Sequence, residues 1–432
     1  MFIYNRIKAF ISDSLFSSDL KRNSNYLIIS QLISAATGFL FWLISAHLYS
    51  TKVVGLAASL ISIGLLASTL TSLGLSNTVL RYLPTTKKPG GLISSSLIAI
   101  SLACLFLCGI SFFGVGAIIL KHKVIHSYLL LVLILFLLTI SNSLNTLVTS
   151  ILLAYKKGNY ILTTTVVATL PRLILLLIFT KSVEGITYAY ISMLVIGVVV
   201  GAIFIFKKCL KLMLYKPDFK VLIKVKAFAF GNYFGGIFAV LPTTLLPVMT
   251  LSRLGAENAA YLYMPLQLSL LLSIIASSVS QALLSETSQK AQDTNHDGFL
   301  KEALGHIYKI LVPTMLMIIS LGWIILRLYG KAYESNGFIP LVIFSLSSIF
   351  IAVNWLGDTL LNIKKRSFLY FIMNVSNGIL VVCLSYLFAS KGLLGISLGW
   401  ISGQFISALI YVYLYIRTSK IPAALSIKQE SV

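Results

Sequence analysis

The chain has 432 residues, of which 58% are hydrophobic and 11% charged, and it carries a formal net charge of +22. A water-soluble domain is excluded, because runs such as Tyr128–Ile140 and Met193–Phe206 would form large apolar patches on an aqueous surface. The positive charge does not point to nucleic acid: the lysines are scattered through short inter-segment loops, a pattern that membrane topology explains.

Residues 1–23 form an N-terminal tail. Ile3, Ile7, Phe10, Ile11 and Leu15 fall on one helical face, with Asn5, Arg6, Lys8 and Asp13 opposite, so the tail reads either as an interfacial amphipathic helix or as a frayed end. The first apolar run begins near Asn25, after Asp13 and Asp19, and no cleavable signal is expected.

A spanning helix needs about 20 mostly apolar residues, and twelve stretches qualify: 24–48, 53–76, 92–119, 127–154, 160–180, 185–206, 227–251, 259–284, 303–327, 338–362, 368–389 and 394–416. The predicted fold is all-α and polytopic. Its N-terminal six-helix lobe (24–206) and C-terminal six-helix lobe (227–416) are joined by a linker at 207–226 and followed by a tail at 417–432.

The linker holds seven lysines against one acid, Asp218, and such a segment stays cytoplasmic because translocating ammonium groups is costly. The N-tail, even-numbered loops and C-tail together hold 24 Lys and Arg, against 8 in the odd-numbered loops. This bias predicts a cell-membrane protein with both termini cytoplasmic.

An internal repeat appears at an offset near 207. Asn25-Tyr26 matches Asn232-Tyr233, Lys156-Lys157 matches Lys364-Lys365, and Gly185 matches Gly392. Six crossings per lobe give both lobes the same orientation, and parallel repeats of this kind belong to transporters that rock about a central path.

Catalytic motifs are lacking: there is no GxxxxGK[ST], and the external acids are single residues, Glu184, Glu257 and Glu334. No enzymatic activity, cofactor or metal is expected. Cys104 and Cys108 share a helix face but have no histidine or carboxylate nearby, and read as packing residues. Asp293, Asn295, Asp297 and Gly298 begin like a calcium loop, but Leu304 stands where the bidentate Glu belongs, which favours a solvated turn.

The ionisable residues inside spans carry more. Arg172 lies about 12 residues into segment 5, roughly 18 Å deep at 1.5 Å per residue, with no acid at comparable depth. It needs either a water-filled cavity with an anionic ligand or the carbonyls left free by Pro171. Arg81 and Lys309 lie closer to the inner face, where they either snorkel or join the site.

Stripes of polar and small residues line a lumen or mediate packing. They include Gln31, Ser34, Gly38 and Ser45 in segment 1, Ser59, Ser62, Thr69 and Ser76 in segment 2, Asn142, Asn145 and Thr149 in segment 4, and Ser269, Ser273, Ser277 and Gln281 in segment 8. Gln31, Asn142, Asn145 and Gln281 are the lumen candidates. Gly395, Gly399 and Gly403, with Gly197 and Gly201, read as packing ridges. Pro242 and Pro247 interrupt segment 7, either as a hinge or as a fixed kink.

Four stretches, LGLSNTVLRYLP (73–84), LLAYKKGNY (152–160), LPTTLLPVMTLSRLGAENAAYLYMP (241–265) and GLLGISLGWISGQ (392–404), resemble in order and spacing the oligosaccharide/polysaccharide flippase family of the multidrug/oligosaccharidyl-lipid/polysaccharide (MOP) exporter superfamily. The resemblance covers nearly the whole chain. It implies a transporter that turns a polyprenyl-linked oligosaccharide from the inner to the outer leaflet by alternating access, with Arg172 and Arg81 taking the cationic-cavity role. It further implies work alongside glycosyltransferases and a polysaccharide polymerase, in a monomer surrounded by membrane lipids. Two other classes stand beside it: a cation-coupled multidrug antiporter, for which a carboxylate in the N-terminal lobe would be expected although no acid falls between Asp19 and Glu184, and a non-transporting scaffold.

Overall fold

Hydrocarbon offers the backbone no hydrogen-bond partner, so an apolar run that enters it must pair its own N–H and C=O groups as a helix. The structure, a computed structural model, describes residues 19–113, 128–179, 182–209, 217–218, 226–289, 296–363 and 366–419. Thirteen α-helices follow one another there: α1 Asp19–Leu48, α2 Thr51–Thr71, α3 Leu75–Tyr82, α4 Pro89–Phe113, α5 Tyr128–Ala154, α6 Gly158–Ile178, α7 Val183–Phe204, α8 Lys226–Leu254, α9 Ala256–Gln289, α10 His296–Tyr329, α11 Lys331–Ile363, α12 Ser367–Phe388 and α13 Gly392–Ser419. Eleven described stretches are long and apolar enough to cross a membrane, and the last of them, Phe368–Arg417, is two helices, α12 and α13, parted at Ala389–Lys391. The protein is an all-α, multi-pass membrane protein.

One predicted span is shorter than its hydropathy suggested. Segment 2 stops at Thr71, and the backbone turns through left-handed Leu73 (φ 50°) and Gly74 (φ 67°) into the short helix α3. That helix buries Leu75, Ser76, Thr78 and Val79 and exposes Asn77, Leu80 and Arg81. Hydropathy cannot register such a break, because the residues on both sides of the turn are apolar. The amphipathic tail falls outside the described residues, as does most of the basic linker. Of the calcium-like stretch, Asp293 and Asn295 are also outside, while Asp297 and Gly298 already belong to α10.

The chain divides into two compact units, Met1–Tyr233 and Phe234–Val432. In the first, α1 packs on α6, α6 on α7, α7 on α5, and α5 on α2 and α4. In the second, α13 packs on α12 and α11, and α11 on α9 and α10. Helix α8 meets α12 where Gly235 faces the Tyr370 ring and Gly378 faces the Phe238 carbonyl. With the short α3 left out, these are the same pairings six spans later.

Lipid supplies no hydrophobic drive between helices, so close approach at small residues holds them together. A Cβ on Gly399 would stand 2.4 Å from the Ser385 backbone, and one on Gly201 2.3 Å from Val148. Both ridges are therefore packing surfaces. Many hydroxyls in the spans are satisfied within their own helix, as Ser45 on Phe41, Ser59 on Gly55 and Thr250 on Leu246, which lets serine and threonine sit in hydrocarbon at low cost. One-residue turns at Gly255 (φ 89°) and Gly330 (φ 133°) reverse the chain between α8 and α9 and between α10 and α11, a conformation that glycine adopts without strain.

Candidate functional site

Arg172 sits on α6, fourteen residues after Gly158 and hence about 21 Å along the helix at 1.5 Å per residue. The start of α6 is tied to α1, whose Asn23 Oδ1 accepts the Gly158 N–H at 2.5 Å. Two residues earlier, Lys156 adopts a left-handed conformation (φ 55°) that ends the turn from α5. Ser30 on α1 and Thr165 on α6 share a hydroxyl hydrogen bond of 2.7 Å. This anchoring sets the register at which Arg172 meets α1.

Arg172 is 4% exposed. Its Nη2 donates to Thr37 Oγ1 at 3.2 Å and its Nη1 to Met193 Sδ at 3.0 Å. Thr37 directs its own hydroxyl hydrogen at the carbonyls of Ile33 and Ser34, which aims a lone pair at Arg172. The Cζ lies 5.2 Å from the centre of the Phe41 ring, within range of a cation–π attraction. Phe41 in turn meets Trp42 and Tyr190 edge-on, at 5.2 and 6.2 Å. A hydroxyl, a thioether and an aromatic face from α1 and α7 thus surround a permanent charge inside the first unit.

The other candidates are placed as follows. Gln31 is exposed on α1, and Arg81 is exposed on α3 with its Cζ 5.6 Å from the Tyr82 ring. Asn142 donates to Ser68 Oγ on α2 at 2.6 Å. Asn145 lies against Gly197 of α7, where a Cβ would be 2.7 Å from its Oδ1, so both asparagines knit helices within the unit. Lys309 is exposed on α10 in the second unit, and the Gln281 side chain lies outside the described residues. Pro242 and Pro247 both lie inside a continuous α8. Pro242 cannot donate to the carbonyl of residue 238, and that carbonyl faces Gly378 of α12.

Sequence reasoning passed over a polar seam between α11 and α13. Trp400 Nε1 donates to Ser347 Oγ at 2.9 Å, and Asn354 Nδ2 to Gln404 Oε1 at 2.8 Å. Further along, Asp358 Oδ1 accepts from Tyr411 and from Asn374 Nδ2 of α12. Tyr411 reaches the carboxylate by crossing Gly357, where a Cβ would lie 2.2 Å from its ring. The signal was present as spacing: residues 347, 354 and 358 share one helical face, as do 400, 404 and 411.

Among curated proteins none matches the sequence. Among solved structures, the chain is similar to an inward-facing multidrug resistance MATE family transporter of the MOP superfamily, with a TM-score of 0.70 and 14% identity over 91% of this chain and 98% of the other. It is also similar to the lipid II flippase MurJ in an inward closed conformation, with a TM-score of 0.68 and 18% identity over 90% of this chain and 87% of the other. At such identities the likeness establishes the fold, that of MOP-superfamily transporters. The sequence over residues 20–285 matches the family described as polysaccharide biosynthesis protein, and because that match spans more than half of the chain, the protein belongs to this family.

Proposed function

We propose that this protein moves a polyprenyl-(di)phosphate-linked oligosaccharide from the inner to the outer leaflet of the cell membrane during the building of a surface polysaccharide. The family match over residues 20–285 carries the reading. The resemblance of the fold to a lipid II flippase adds to it, since that protein's named substrate is also a lipid. The lysine and arginine bias of the loops supports both termini lying in the cytoplasm, the side on which such a substrate would be made. Glycosyltransferases and a polymerase are the partners this role requires.

Arg172 is the residue to which we assign the lipid phosphate. Arginine stays protonated when partly desolvated and bonds phosphate with a planar fork. Its surroundings in this conformation, Thr37, Met193 and Phe41, are contacts that an anion would outcompete. Deleting the protein should abolish surface glycan and leave the lipid-linked precursor accumulating on the cytoplasmic side. Unchanged surface glycan would overturn the function. At residue level, Arg172→Ala should abolish export per folded molecule and Arg172→Lys should restore part of it. Full normalised export in Arg172→Ala would remove the arginine from the transport path.

The multidrug antiporter is the competing reading, since solved structures of this fold include a multidrug resistance transporter in inward- and outward-facing conformations. Efflux of fluorescent cationic drugs by proteoliposomes, with no movement of lipid-linked glycan, would decide for it.

A further inference from the structure

An apolar groove runs along the polar seam in the second unit. Its main part has a volume of about 130 Å³ and is bounded by Leu304 of α10, Val353 and Leu360 of α11, and Tyr411 and Tyr415 of α13. A smaller part of about 30 Å³ continues past Leu360 and Tyr411 to Arg366, in the connection between α11 and α12. Gly357 opens the floor by letting the Tyr411 ring lie flat across α11. Because the Tyr411 hydroxyl is turned away onto Asp358, the groove receives a ring face and aliphatic walls.

Length and charge identify the occupant. From Val353 to Leu361 the groove follows α11 for about 12 Å at 1.5 Å per residue, close to the depth of one leaflet, about 15 Å in a core about 30 Å thick. The helix ends at Ile363, and the half-buried Arg366 follows at the end of the smaller part of the groove. Exposed Arg417 comes two residues after Tyr415, in the last turn of α13. We propose that this groove binds one acyl chain of an anionic phospholipid, with its headgroup phosphate held by Arg366 and Arg417. A chain of one leaflet's length matches the groove, whereas a long polyprenyl chain would extend well beyond it. The site is independent of the transported substrate.

Native mass spectrometry of the full-length protein tests this with phosphatidylglycerol and phosphatidylcholine of identical chains. Wild-type protein should retain phosphatidylglycerol in preference by about fivefold for each arginine engaged, and Arg366→Gln should lose about fivefold of that preference. Val353→Phe and Leu304→Trp, which fill the groove from opposite walls, should each lose the retained lipid. Leu170→Trp, on an exposed face of α6, should leave it unchanged. Equal retention of the two lipids by wild-type protein would overturn the proposal, and that comparison needs no folded variant. So would undiminished retention in both groove-filling variants, loss in Leu170→Trp, or displacement of phosphatidylglycerol by an equal concentration of decaprenyl phosphate.

Discussion

A carboxylate buried among helices is tolerated when its lone pairs are filled, and Asp358 achieves this with two donors on one oxygen, Tyr411 and Asn374. The arrangement depends on an absent side chain, because the Tyr411 ring occupies the space where a Cβ at residue 357 would stand. Gly357→Ala should push the ring off and leave the buried carboxylate with Asn374 alone on that oxygen, at a cost of about 1–3 kcal/mol. Tyr411→Phe should cost a similar amount by removing the donor itself. Thermal unfolding in detergent checks both. Since the two changes break one bond, the double variant should be little worse than either single one, and strictly additive losses would show that Gly357 acts elsewhere.

Between helices, the determining quantity is how closely two backbones approach. Along α13, Cβ atoms at Gly395, Gly399 and Gly403 would stand 1.8, 2.4 and 2.6 Å from α12 backbone atoms, so these positions fix the distance between the two helices. Gly399→Val should force them apart and destabilise the protein by about 1–3 kcal/mol or more, as overpacking does. Gly305 in α10 has nothing within 4 Å of a modest added side chain, and Gly305→Ala should instead stabilise by about 0.5–1 kcal/mol through helix propensity. The opposite signs separate a packing glycine from an incidental one, and urea or thermal unfolding reads both. The same test explains Gly197 and Gly201 of α7, whose neighbours are Asn145 and Val148 of α5.

For the whole molecule, the distribution of basic residues predicts orientation. A cysteine introduced at Pro217, in the basic linker, should resist an impermeant thiol reagent added outside intact cells. One at Ser335, exposed in the first turns of α11, should react, because a linker with seven lysines is expected to stay cytoplasmic and an odd number of predicted spans separates the two sites. The opposite labelling pattern would invert the proposed direction of transport along with the topology.

Helix number, approximate ends and the membrane environment were determined by the sequence itself, because hydropathy over about 20 residues is a local property that hydrocarbon enforces strictly. The offset repeat was legible for the same reason: Asn25-Tyr26 and Asn232-Tyr233 open equivalent helices. Arg172 stood out because a permanent charge in an apolar run is costly wherever the helix lies. Its surroundings did not, since Thr37 and Met193 are 135 and 21 residues away and meet it only once α1 and α7 flank α6. The break at Leu73–Gly74 was hidden because backbone φ leaves no trace in hydropathy. Asp358 acquires its two donors only when α12 and α13 bring Asn374 and Tyr411 to it. Whether a polar side chain in a span faces a lumen or a neighbouring helix depends on helix rotation and on which helix packs beside it, and those are set by close approach at glycines distributed over the whole chain.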